Sequence, residues 1–166
     1  MLDEFILPAI QSEAPLEANP QGASRLQAAV EFAANPVQPI PALTAVASEI
    51  SGEIYTIEEN PFGWQTIVFS FQEGESEATA HVNGMPVAIG LDNLYRFTTV
   101  GASPFPQGYR GSWENEDMFN VETIEIGLPT HNITAVQFSE DTIHLTWRDE
   151  LSGSKIEIQG RLRDEE

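Results

Sequence analysis

"TIHLTWRDELSGSKIEIQGRLR", Thr142 to Arg163, is the stretch that decides the fold. Ile143, Leu145 and Trp147 alternate with Thr142, His144, Thr146 and Arg148. After Ser152-Gly153-Ser154 the alternation resumes, with Ile156, Ile158, Gly160 and Leu162 set against Lys155, Glu157, Gln159, Arg161 and Arg163. A period of two puts one face in a core and the other in solvent, so two such runs joined by a short Gly/Ser break predict an antiparallel hairpin.

The same pattern runs back along the chain as Ile67, Phe69, Phe71, then Ala78, Ala80, Val82, then Tyr109, Gly111, Trp113. The separators have turn chemistry: Asn60-Pro61-Phe62-Gly63, Glu73-Gly74-Glu75, Asn83-Gly84, Glu114 to Asp117 and Ser139-Glu140-Asp141. Short separators make neighbours antiparallel. About eight to ten such strands, each with one apolar face, are satisfied most simply by an up-and-down barrel or a strongly coiled sheet, because closure removes exposed edges. A sandwich is the alternative, but it needs longer crossovers than the sequence offers. The apolar phase of "YRGSWENEDMFNVETIEIG" (109–127) shifts after Val121, since Ile124 and Ile126 have the opposite parity; this predicts a bulge or a bend near Glu122 or Thr123. The irregular stretch from Thr98 to Gly111 is expected to close one mouth.

Residues 1–49 read differently. Pro8, Pro15, Pro20, Pro36, Pro39 and Pro41 punctuate short apolar stretches. Asn19 and Pro20 suit the cap and first position of a helix that Asn35-Pro36 ends. The expected organisation is a helical, proline-rich connector over 1–49, packing on a β-barrel over 50–166.

The 166 residues carry a formal net charge of −19, which repels phosphate backbones and makes nucleic acid and anionic membranes poor partners. Without cysteine there is no disulfide, thiolate metal site or cysteine nucleophile. The start "MLDEFILPAIQSEAP" lacks the basic, longer apolar character of a signal peptide, and no segment is long enough to span a bilayer as a helix. The default expectation for localisation is the cytoplasm. His81, His131 and His144 show no metal-ligand spacing, and no metal or cofactor is expected. Ser152 and Lys155 match Ser-x-x-Lys, but across a hairpin turn rather than along a helix. Glu114, Glu116 and Asp117 read as turn residues. Asn132-Ile133-Thr134 is a glycosylation sequon that has meaning only in a secretory route.

What remains is a barrel whose aromatics are expected inside: Tyr55, Phe69, Phe71, Tyr95, Phe97, Trp113, Phe119, Phe138 and Trp147. They either fill the interior, as in small barrels, or line a cavity for a small apolar ligand.

The order "LPAIQSEAPLEANPQGASRLQAAV", "ISGEIYTIEENPFGW", "PVAIGLDNLYRF", "YRGSWENEDMFNVE" resembles the C-terminal accessory region of bacterial serine hydrolases of the class C β-lactamase and penicillin-binding-protein-like group. The residues that carry it are Ser51-Gly52, Tyr55, Asn60-Pro61, Gly63, Gly90, Asp92, Tyr95-Arg96, Arg110-Gly111 and Trp113. The resemblance implies a lipocalin-like barrel with no catalysis of its own, partnering a serine hydrolase domain in cis. That domain's Ser-x-x-Lys nucleophile and Tyr-x-Asn motif are missing from this chain in usable context. The alternative is a stand-alone, lipocalin-like binder of a small apolar ligand. Tyr95, Arg96, Arg110 and Trp113 are the candidate ligand or interface residues. Arg96 and Arg110 are the only basic residues between Arg25 and Arg148, so they either anchor a partner or pair with carboxylates nearby.

Overall fold

The computed structural model describes residues 19–34, 39–98 and 105–163. Helix α1 (Pro20–Ala34) lies in a compact unit that ends at Pro36, and the chain from Val37 onward forms a second. The α1 cap is the expected one: Asn19 Oδ1 accepts from Gly22 N at 2.8 Å. The stretch 1–18 and the segment 99–104, within the loop expected to close a mouth, lie outside the described residues.

The second unit begins with a short helix, α2 (Ala45–Glu49), capped by the Thr44 hydroxyl, which accepts from Ala47 N at 3.1 Å. Ten strands follow: β1 (Ile54–Ile57), β2 (Thr66–Ser70), β3 (Glu77–Val82), β4 (Met85–Gly90), β5 (Arg96–Thr98), β6 (Gln107–Trp113), β7 (Met118–Glu125), β8 (His131–Ser139), β9 (Thr142–Asp149) and β10 (Lys155–Leu162). They form one antiparallel up-and-down sheet in the order β4-β3-β2-β1-β10-β9-β8-β7-β6-β5, and β4 meets β6 to close it into a ring. The closing pair, Gly90 opposite Arg110, is parallel. Topology requires this: β4 and β6 are two strands apart in an alternating meander, so they run the same way. Short β5 lies on the same edge of β6, from Arg96 opposite Tyr109 to Thr98 opposite Gln107, and leaves room for β4 to reach it.

The two halves of the barrel differ. At the end carrying the β6–β7 turn, Phe69, Phe71, Trp113, Phe119 and Phe138 pack ring on ring, with centroids 5.0–6.1 Å apart. Buried Ala47 and Ile50, from α2 and its end, join this core. Gly111 makes the packing possible, because a Cβ there would sit 2.3 Å from the Phe119 ring. In the other half the inward positions carry smaller side chains: Ala80, Val82 and Val87 on one wall, Thr123 and Thr134 on the other. Barrel diameter grows with strand number, so closing β4 on β6 gives a ring wide enough that small residues leave space inside.

Two expectations are corrected. No bulge interrupts β7: its register runs unbroken with β6, from Trp113–Phe119 to Gln107–Glu125, and with β8, from Met118–Gln137 to Ile124–His131. The phase shift instead puts Thr123 on the inner face and Ile124 on the outer. Nor are Tyr95 and Phe97 interior: Phe97 is 54% exposed and lies against Gly108, and Tyr95 turns toward Glu122.

Candidate functional site: a half-hollow barrel

The space in the second half is a cavity of about 540 Å³, within the range of roughly 300–1,000 Å³ usual for small-molecule sites. One wall, from β2, β3 and β4, is apolar: Ile67, Ala80, Val82, Val87 and Ile89. The facing wall, from β6, β7 and β8, carries Gln107, Tyr109, Thr123 and Thr134, with Val121 and Val136 between them. Among the described residues no charged side chain lines it, although the chain has 26 Asp and Glu.

The mouth is built by two asparagines. Asn60 accepts from Phe62 N and Trp64 N at 3.1 and 3.2 Å and donates to Glu58 O and Trp64 O at 2.8 and 2.7 Å. Asn83, held at φ 52 in the β3–β4 turn, accepts from Gln65 N at 2.7 Å and donates to Gly63 O at 2.9 Å. Together they fix the β1–β2 loop so that Trp64 faces the cavity and Phe62 stacks on it at 4.7 Å, with Trp147 5.3 Å from Phe62. Phe62, Met85, Ile126, Leu128 and Leu151, all exposed, lie at this end, beside the exposed carboxylates Glu58, Glu59 and Glu150. The turns at the opposite end carry Glu73, Glu75, Glu114, Glu116, Asp117, Glu140 and Asp141.

On the inner wall the Tyr109 hydroxyl donates to Gln107 Oε1 at 2.5 Å. Burial, and then the Glu125 carboxylate, push its pKa up, so it stays a neutral hydroxyl. Thr123 and Thr134 have no side-chain hydrogen bond to another described residue.

The residues singled out from sequence lie elsewhere. Trp113 is in the packed half; its indole N–H is buried without a hydrogen-bond partner among the described residues. Arg96, Arg110 and Tyr95 sit at the seam where the ring closes. Arg96 donates to Asp92 at 3.0 Å, Glu77 at 3.1 Å, Ser76 O at 3.0 Å and Leu94 O at 3.2 Å. Burial alone would raise the Asp92 carboxyl, but the Arg96 guanidinium and the Leu94 N–H outweigh it and hold it below the ordinary value. Arg110 lies 4.7 Å over the Tyr95 ring and binds Glu122 at 2.7 Å and Asn93 at 2.9 Å. Glu122 also takes the Tyr95 hydroxyl at 2.6 Å and His131 Nε2 at 2.7 Å. These partners outweigh its burial and lower its pKa, while burial and Glu122 push Tyr95 up to about 12. Gly90 completes the seam: a Cβ there would fall 1.8 Å from Leu94 O.

Ser152 and Lys155 do not meet. Ser152 Oγ donates to Asp149 at 2.6 Å and Lys155 pairs with Glu157 at 2.5 Å. Among the described residues no three His, Asp or Glu converge as a metal site, and no helix is long and apolar enough to cross a membrane.

No family model, curated protein or solved structure matches the chain.

Proposed function

We propose that this protein binds a small, largely apolar molecule in the open half of its barrel. The observation that carries this reading is the cavity: about 540 Å³, lined by uncharged side chains, with Trp64 at its mouth. A barrel that only needed to be stable gains more from filling such space, since lost packing contacts weaken a core. Titration with the neutral fluorophore N-phenyl-1-naphthylamine tests it. Saturable one-to-one binding that quenches Trp64 and is lost in Ala80→Phe or Val87→Phe supports the reading. Folded wild-type protein that does not bind the probe contradicts it.

A second reading, a non-catalytic lipocalin-like accessory barrel of a β-lactamase-related serine hydrolase, rests on the residues that carry the resemblance. Most of them are closing hardware. Ser51 Oγ accepts from Phe71 N at 2.9 Å, Asn60 and Gly63 shape the mouth loop, and Gly90, Asp92, Arg96 and Arg110 form the seam. Kinship of fold is therefore what they support. With both arginines paired to carboxylates at the seam, an interface anchored on them loses its motive. Coding sequence flanking this chain tests this reading: a Ser-x-x-Lys domain in frame or adjacent supports it, and none contradicts it.

A further inference from the structure

We infer that the cavity selects uncharged amphiphiles, molecules with an apolar body and one neutral hydrogen-bonding group such as an alcohol, and rejects carboxylates of the same chain length. This rests on the proposed ligand-binding role and names the ligand class.

The two walls differ in chemistry. The β2–β4 wall has only hydrocarbon to offer, in Ile67, Ala80, Val82 and Val87. The β6–β8 wall presents hydroxyls. Tyr109 stands directly opposite Thr123 in the β6–β7 ladder, and Thr134 stands opposite Val121 in the next. Tyr109 spends its proton on Gln107, leaving its oxygen lone pairs as acceptors, while the threonine hydroxyls both donate and accept. A neutral hydroxyl or carbonyl placed there finds partners of either kind, and the ligand's body lies against hydrocarbon.

An anion finds donors in the threonines but no counter-charge. Among the described residues no Lys, Arg or His lines the cavity, Arg96 and Arg110 are committed at the seam, and the charge that Tyr109 feels is the Glu125 carboxylate. The net charge of −19 adds a long-range penalty at low salt. A carboxylate must therefore give up its hydration without a counter-charge, or bind in its protonated form.

The test displaces bound N-phenyl-1-naphthylamine from the full chain at pH 8 with 1-decanol, decanoate and decane. Decanol is expected to displace the probe at a concentration at least about tenfold lower than decanoate, the sign set by uncompensated burial of charge. In Thr123→Val and Thr134→Val, decanol is expected to lose about three- to tenfold, one neutral hydrogen bond, while decane is unchanged. Decanoate as effective as decanol overturns the selectivity while leaving apolar binding in place. Threonine variants that leave decanol unaffected overturn the role given to the β6–β8 wall. Failure of the probe itself to bind would instead count against the proposed function.

Discussion

Replacing Arg96 with methionine should open the ring at its weakest place. The seam has one ladder pair, Gly90 opposite Arg110, and parallel pairing is slightly the weaker kind. Arg96 reinforces it by tying the β4–β5 turn, through Asp92 and Leu94, to Ser76 and Glu77 at the start of β3. The arm to Glu77, whose side chain is 46% exposed, adds less than about 1 kcal/mol. The arm to Asp92 matters more, because that side chain is only 10% exposed and loses its charged partner. Removing one member of a fully buried pair costs about 3–5 kcal/mol. Asp92 lies only just below the surface, so we place the loss at about 2 kcal/mol, or roughly 8 °C in Tm. Urea denaturation followed by tryptophan fluorescence reads it. The pH dependence identifies the cause. Arg96 lowers the folded-state pKa of Asp92, so its contribution is complete above the unfolded value of about 4 and is lost as pH falls through the folded value. The gap between wild type and Arg96→Met should therefore narrow below about pH 4. Adding Asp92→Asn should restore much of the loss at pH 7, since it removes the stranded charge. A loss under about 0.5 kcal/mol would show that Arg96 is an ordinary surface ion pair and refute the reasoning.

Other outcomes follow from the same geometry. Glu122→Gln takes the charge from the hub that holds Tyr95, Arg110 and His131, and should bring tyrosinate absorbance of Tyr95 in below its present value of about 12 in an alkaline titration. Gly90→Ala pushes a methyl into Leu94 O and should abolish the cooperative unfolding transition or lower its midpoint sharply, as calorimetry would record. Phe119→Ala, in the packed half, should cost about 3–5 kcal/mol by denaturant titration. Val82→Ala, on the cavity wall, should cost nearer 1 kcal/mol.

The strands were legible because period-two alternation is the direct mark of a half-buried sheet. Asn83-Gly84 and Ser152-Gly153 named their turns because Asn83, Gly84 and Gly153 hold the left-handed backbone that suits Asn and Gly. The two unbroken registers of β7 show where that logic fails: the opposite parity of Ile124 and Ile126 reads as a bulge only if every inward position is apolar, and Thr123 is an inward position that is not. A polar residue at inward parity on two neighbouring strands, Thr123 and Thr134, is instead the signature of a cavity wall. Packing and cavity cannot be separated by pattern alone, since Phe119 and Val87 both read as "inside"; side-chain volume summed around the ring decides. Tyr95 and Phe97 were misplaced because β5 has only three residues, too few for parity to be read, and lies beside the closing seam. The pairing of Arg96 with Glu77, 19 residues away, depends on ring closure and leaves no local signal.

The most direct test is a crystal structure of the protein with a brominated neutral alcohol, read by anomalous scattering. A bromine peak inside the barrel, between Trp64, Val87 and Leu145, with the Phe69–Phe119–Trp113 half unchanged, is the expected result. Side chains filling that space, or bromine only on the outer surface, would contradict a barrel built half to hold itself together and half to hold a ligand.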